Sequence, residues 1–166
     1  MEEVHPSAPH LVRTLEWVER LAPDAGEALR VAAVVHDAER AYPEPGQRLN
    51  ARDHWDLEAY VRWHQDRSAS IAAEWLAARG APPALVEDVR RLVEVHELGG
   101  WPEADVLQAA DSLSFLETMP PELASWPEER AVGKLHHMAA RVRVGRDLAA
   151  ERLPRALMEW RACASS

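Results

Sequence analysis

At 166 residues and 47% hydrophobic content, the chain is long enough to bury one core, and a single domain over residues 1–166 is the expectation. A formal net charge of −9 argues against broad electrostatic binding to nucleic acid or anionic lipid, and no apolar run approaches the about 20 residues of a membrane span. The one cysteine, Cys163, excludes an internal disulfide framework, and the opening MEEVHPSAPH lacks the basic and apolar regions of a secretory signal, so a cytoplasmic location is expected.

The first helical stretch carries Leu11, Leu15, Val18 and Leu21 at helical spacing, and Pro23-Asp24 and Gly26 punctuate it. A second helix is expected from about Gly26 to Ala41, with Ala28, Leu29, Ala32, Ala33 and Val35 in its buried stripe, and Tyr42-Pro43-Glu44-Pro45-Gly46 breaks it. A third runs from about Asp53 through Ala78 to Gly80. Pro82-Pro83 opens a fourth, which passes Val95 and stops at Gly99-Gly100; Pro102 opens a fifth over EADVLQAADSLSFLE, ended by Pro120-Pro121. The remainder, about Glu128 to Val144 and Glu151 to Ala162, reads as one or two further helices. β-branched residues are scarce and never alternate, so the expected fold is an all-α helical bundle.

Imidazoles and carboxylates recur along this pattern. His10 starts the first helix and His36, followed by Asp37, lies near the end of the second, so antiparallel packing puts them at one end of the bundle. His64 falls in the N-terminal half of the third helix, His96 closes the fourth, and Asp111 in the fifth returns to the same level. Groups from separate helices meeting inside a bundle are how such folds build metal sites. Imidazole suits iron, zinc, manganese or nickel, carboxylate suits harder ions such as magnesium, and a lone cysteine supplies no thiolate cluster. Adjacent helical residues point about 100° apart, so His36 and Asp37 share a site only if a metal lies between their faces or Asp37 bridges two metals. Taken singly, each residue has an ordinary role: His10 as a capping histidine, His36 in the core, His64 on the surface, His96 as a helix-end cation, Asp111 as a solvated carboxylate. Their coincidence at one end is what points to metal. His5, His54, His136 and His137 fall off the pattern and are read as non-ligands.

His10 in HLVRT, His36-Asp37 in AAVVHDAER and Asp111 in LQAADSLSFLE together resemble the HD-domain superfamily of metal-dependent phosphohydrolases, whose signature is H…HD…D on a five-helix all-α core. The resemblance covers about residues 10–117 and leaves about 118–166 as a helical extension. HQDRSA and HELGGWPEADVLQAADSLSFLE are similar to a branch of the superfamily in which membership fixes no substrate. The resemblance implies that His10, His36, Asp37 and Asp111 hold one divalent metal. It also implies that His64 and His96 take the place of two histidines that binuclear members add, with Asp37 bridging. Many relatives carry Gly-Lys soon after the HD pair; here Ala38-Glu39-Arg40 follows, similar to HD nucleotidases in which that Glu helps activate the attacking water. Glu39 and Asp37 are therefore the catalytic candidates, with a solvated helix carboxylate as the ordinary reading of Glu39.

The activity implied is hydrolysis of a small anionic phosphate ester, such as a nucleotide, by metal-activated water. Glu97, directly after His96, is a second proton acceptor or a support for a ligand histidine. Arg13 lies one turn from His10, Arg67 lies three residues from His64, and Lys134 and Arg141 lie two turns apart on one face, so all four are candidates for holding phosphate. Surface solvation is the alternative for each. Trp63 and Trp101 flank the ligands, either to stack a base or to pack the core. Two other classes fit the same ligands: a diiron HD-type oxygenase, and a non-catalytic metal-containing nucleotide-binding module. Exposed apolar helix faces leave room for a homodimer.

Overall fold

The computed structural model describes residues 7–42, 44 and 46–165, and among the described residues every regular element is helical. In chain order these are α1 (Ala8–Leu21), α2 (Glu27–Val35), a 3-10 turn (Ala38–Ala41), the single-turn α3 (Ala51–His54) and α4 (Glu58–Ala78). Then come α5 (Pro83–Val93), α6 (Pro102–Thr118), a second 3-10 turn (Glu122–Ser125), α7 (Glu128–Ala140) and α8 (Arg146–Ala164). Pro83 and Pro102 begin α5 and α6, where a missing N–H costs nothing and φ is already helical. Asn50 caps α3, its side chain accepting from the Asp53 N–H at 2.9 Å.

From Leu107 through Leu116 every residue of α6 is buried, so this helix lies at the centre of the bundle. α1 packs on α6 and α2, α2 on α5, and α5 on α4. α7 and α8 pack on each other and on α6, and Leu135, Met138, Ala156 and Trp160 complete the core. The C-terminal third is thus structurally continuous with the rest. Along α4 the buried stripe changes character: Tyr60, His64, Gln65 and Ser68 are followed by Ala69, Ala72 and Leu76. One end of the bundle is therefore polar inside, and the other is apolar. Among the described residues no helix is long and apolar enough to cross a membrane.

Several boundaries depart from the sequence expectation. α2 ends at Val35, not Ala41; Asp37 adopts φ −100° and ψ 24°, and the chain tightens into the 3-10 turn. The expected third helix divides into α3 and α4 because Leu57 is extended, at φ −86° and ψ 127°. At this break Asp56 accepts two hydrogen bonds from Arg130 of α7, at 2.9 and 2.8 Å. α7 stops at Ala140, short of Val144, and α8 starts at Arg146, directly after Gly145 in the left-handed region, and runs through Pro154. The expected break at Pro43 and Pro45, and the reading of His5, fall outside the described residues.

Candidate metal centre

Five helices deliver polar groups to one point. His10 lies in the first turn of α1, His36 and Asp37 directly follow α2, and His64 lies in the first half of α4. His96 and Glu97 follow α5, and Asp111 is in the middle of α6. All are buried except the half-buried Glu97. His10 Nε2 is 3.2 Å and His36 Nε2 3.6 Å from Asp111 Oδ1; His64 Nε2 is 3.1 Å and His36 Nε2 4.0 Å from Asp37 Oδ1. His96 Nε2 is 4.0 Å from Glu97 Oε1. The rings meet edge to face, with centroids 5.4 Å apart for His10–His36, 5.1 Å for His36–His96 and 5.1 Å for His64–His96. Three sets of potential ligand atoms each lie within 4.8 Å of one another: His10, His36, Asp37; Asp37, His64, His96; and His96, Glu97, Asp111. These groups could hold a metal ion, and Asp37 belongs to two of the sets.

Each imidazole is anchored by one nitrogen and presents the other. His36 Nδ1–H donates to the Ala33 carbonyl at 3.0 Å, and His96 Nδ1–H donates to the Val93 carbonyl at 2.7 Å. Both rings thereby bond carbonyls at the C-terminal ends of α2 and α5, and the Val93 carbonyl also accepts from the His96 N–H at 3.3 Å. Two helix C-termini, each with a partial negative charge, point at the cluster and favour a cation there. His64 Nδ1–H donates to Glu39 Oε1 at 3.0 Å. Ser114 Oγ donates to the His10 carbonyl at 2.8 Å, so at 2.9 Å it accepts from His10 Nδ1–H. The inward nitrogens are consequently the acceptor ones, and the Nε2 atoms of His36, His64 and His96 are buried with no hydrogen-bond partner. Lone pairs facing carboxylates at such distances are stabilised by a cation or a proton between them.

The charges agree with this arrangement. Burial opposes ionisation of Asp37, but Arg40, whose Nε is 2.7 Å away, and the neighbouring imidazoles hold it well below the usual carboxylate range. Burial is likewise overcome at Asp111 by Arg141, His10 and His36. Burial would lower His64, yet Asp37 and Glu39 raise it to about 9. His96, desolvated and facing His64 and His36, is pushed down to about 4.

His10, His36, Asp37, His64, His96 and Asp111, singled out from the sequence, lie together. The other candidates are placed differently. Glu39 sits behind the His64 ring, on its Nδ1 side, where it accepts from the imidazole at 3.0 Å. Arg13 is paired with Glu16 and Glu117 and lies over Trp17, away from the cluster. Arg67 is held by the Tyr42 carbonyl at 2.9 Å and by Glu44 at 2.5 Å. Arg141 is buried at the cluster, but its guanidinium is engaged by Glu97, Asp111 and, at 2.8 Å, Ser112 Oγ. Lys134 is buried beside these groups, its Nζ 5.5 Å from the ring centroids of both Trp55 and Phe115. Trp63 packs near Tyr60, and Trp101 lies near Arg91; neither joins the ligands. Glu97 among the groups that could hold an ion, and Arg40, Tyr60 and Ser114 packed around them, were not anticipated. Tyr60 stacks on His64 at 5.7 Å, and its position four residues before His64 was the only signal in the sequence.

Comparisons with curated proteins and with solved structures returned no match. Residues 3–158 match the family model described as Domain of unknown function (DUF4202), which spans nearly the whole chain and every residue of the cluster. The chain belongs to the DUF4202 family.

Proposed function

We propose that this protein is a metal-dependent hydrolase of a small phosphate ester, with a binuclear-capable centre for divalent transition metal. The observation that carries the metal is the set of bare, buried Nε2 atoms of His36, His64 and His96, each on a ring fixed through Nδ1. Imidazole nitrogen with carboxylate oxygen is a donor set for iron, manganese, nickel or zinc. In this reading His10, His36, Asp37 and Asp111 would hold one ion, and Asp37, His64 and His96 would hold a second. The resemblance to HD-domain phosphohydrolases, through the same residues, supplies the reaction class.

A divalent ion in such a site lowers the pKa of bound water and polarises a phosphoryl oxygen. The remaining work falls to this chain's own groups. Glu39 and Ser114 fix the His64 and His10 rings, while the Ala33 and Val93 carbonyls fix His36 and His96. Arg40 and Arg141 keep Asp37 and Asp111 ionised. Although burial would raise its pKa, Glu97 is kept anionic by Arg141 and Lys134, which makes it a poor proton acceptor and a better ligand.

The test is phosphate release from a panel of nucleotides, pyrophosphates and sugar phosphates, with each metal added in turn. Release that depends on metal and disappears in His36→Ala and Asp37→Ala is expected. The four imidazoles and the shared carboxylate also suit a diiron oxygenase. Oxygen uptake with iron, with no phosphate released under any metal, would establish that second reading in place of the first.

A further inference from the structure

Among the described residues one cation at the centre makes no close ion pair, although Glu97 and Asp111 act on it through space. Arg40 is paired with Asp37, and Arg141 with Glu97 and Asp111. Lys134 is only 5% exposed, yet among the described residues its Nζ has neither an ion pair nor a hydrogen bond, only the faces of Trp55 and Phe115. Beside it, Trp55 Nε1 is a fully buried donor with no hydrogen-bond partner. Donors are not buried without acceptors at random, because each forfeits its bonds to water.

The pair is deliberately seated. Trp55 lies against α7 where Gly133 leaves room, since a Cβ at Gly133 would come within 3.3 Å of the indole. The bidentate Arg130–Asp56 pair ties the segment carrying Trp55 to the same helix. Phe115, on the other side of the amine, packs edge-on against His10 with centroids 6.2 Å apart, so the amine is one ring removed from the ligand cluster. Asp37, Glu39, Glu97 and Asp111 face three fixed cations, Arg40, Lys134 and Arg141, so with the imidazoles neutral and one divalent ion bound the net balance is positive. An anion is then the missing complement.

We propose that Lys134 and Trp55 form the seat for the phosphate oxyanion of the substrate, at the edge of the cluster, a reading that rests on the metal-dependent hydrolysis proposed above. The ammonium supplies charge and up to three donors, the indole a single directed one. Arg141 is the counter-ion of the ligands, and α7 and the α3–α4 break supply the specificity.

The test uses the full chain, manganese-loaded, with inorganic phosphate as the probe, calorimetry for affinity and elemental analysis for metal. Lys134→Met should weaken phosphate binding roughly tenfold or more, as expected for losing a charged hydrogen bond. Lys134→Arg should recover most of that loss. Trp55→Phe, which removes the indole N–H but keeps an aromatic ring, should weaken binding about threefold or more and decides the matter if Lys134→Met does not fold. All three should retain the metal content of the unaltered protein. Unchanged phosphate affinity in Lys134→Met, or no binding by the unaltered protein at millimolar phosphate, overturns the seat and leaves the metal centre standing. Phosphate binding that depends on Lys134 in a chain that takes up no metal keeps the seat and overturns the metal-dependent reading.

Discussion

Which nitrogen of an imidazole is tied down decides what the other can do. At His64 the tie is Glu39, at 3.0 Å, and an anionic acceptor there both sets the tautomer and raises the basicity of Nε2. Glu39→Gln should therefore lower metal affinity by about 10- to 100-fold while the fold persists, as read by competition with a chromogenic chelator. An unchanged affinity would show that the pair orients nothing. The titration of the same ring gives a signed pH dependence. In metal-free protein, burial opposes but Asp37 and Glu39 raise His64 to about 9, so its contribution to stability is complete below the ordinary pKa near 6.5 and is lost as pH rises through 9. His96, lowered to about 4 by burial and its imidazole neighbours, acts oppositely: stability is lost as pH falls from about 6.5 towards 4. Urea unfolding of metal-free protein should show a maximum near neutrality from these two groups. Metal must displace the His64 proton, so affinity should rise by up to about tenfold per pH unit between 7 and 9. The cluster's histidines and aspartates were legible in the sequence because antiparallel helices bring their spacings to one level. The supports were not: Ser114 meets His10 across 104 residues, and nothing local to either predicts it.

Helix ends place most of the centre. His36 directly follows α2 and His96 lies three residues beyond the last residue of α5, and each turns back to donate to a carbonyl three residues earlier, so the two helix ends define the site. The turn between α5 and α6 passes through Gly99 and Gly100, both at positive φ. A Cβ at Gly99 would collide with the Asp105 carboxylate, which also accepts from the Gly100 N–H at 2.8 Å and from Arg143 at 2.6 Å. Gly99→Ala should cost about 1–3 kcal/mol in urea unfolding and should also weaken metal binding, because Glu97 and His96 lead into this turn. Proline made the starts of α5 and α6 readable from sequence, but α5 ends at Val93, short of the expected stop at Gly99-Gly100, because the chain tightens into turns whose His96 ring bonds the Val93 carbonyl. The end of α2 was not readable, since Ala38-Glu39-Arg40-Ala41 has good helix propensity and the helix gives way to side-chain bonds of His36 and Asp37. The break between α3 and α4 was hidden for a similar reason: Asp56 answers to Arg130, far along the chain.

At the scale of the molecule, a centrally buried α6 carries Asp111 and Ser114 into the core while α1, α2, α4 and α5 surround the cluster with imidazoles. The all-α bundle followed from periodicity, but the role of the C-terminal helices did not, because Lys134 and Arg141 look like surface residues until α7 packs on α6. Metal that binds only the folded chain stabilises it by about 2.7 kcal/mol at a hundredfold excess over its dissociation constant, so stripping metal should lower the melting temperature by about 5–10 °C. The decisive measurement is metal stoichiometry by elemental analysis of protein purified without added metal and after reconstitution. The account predicts one to two ions per chain, falling below one in His36→Ala and in Asp37→Ala, whose folds are retained by circular dichroism. A chain that holds no transition metal after reconstitution, with a melting temperature indifferent to metal and chelator, would contradict it.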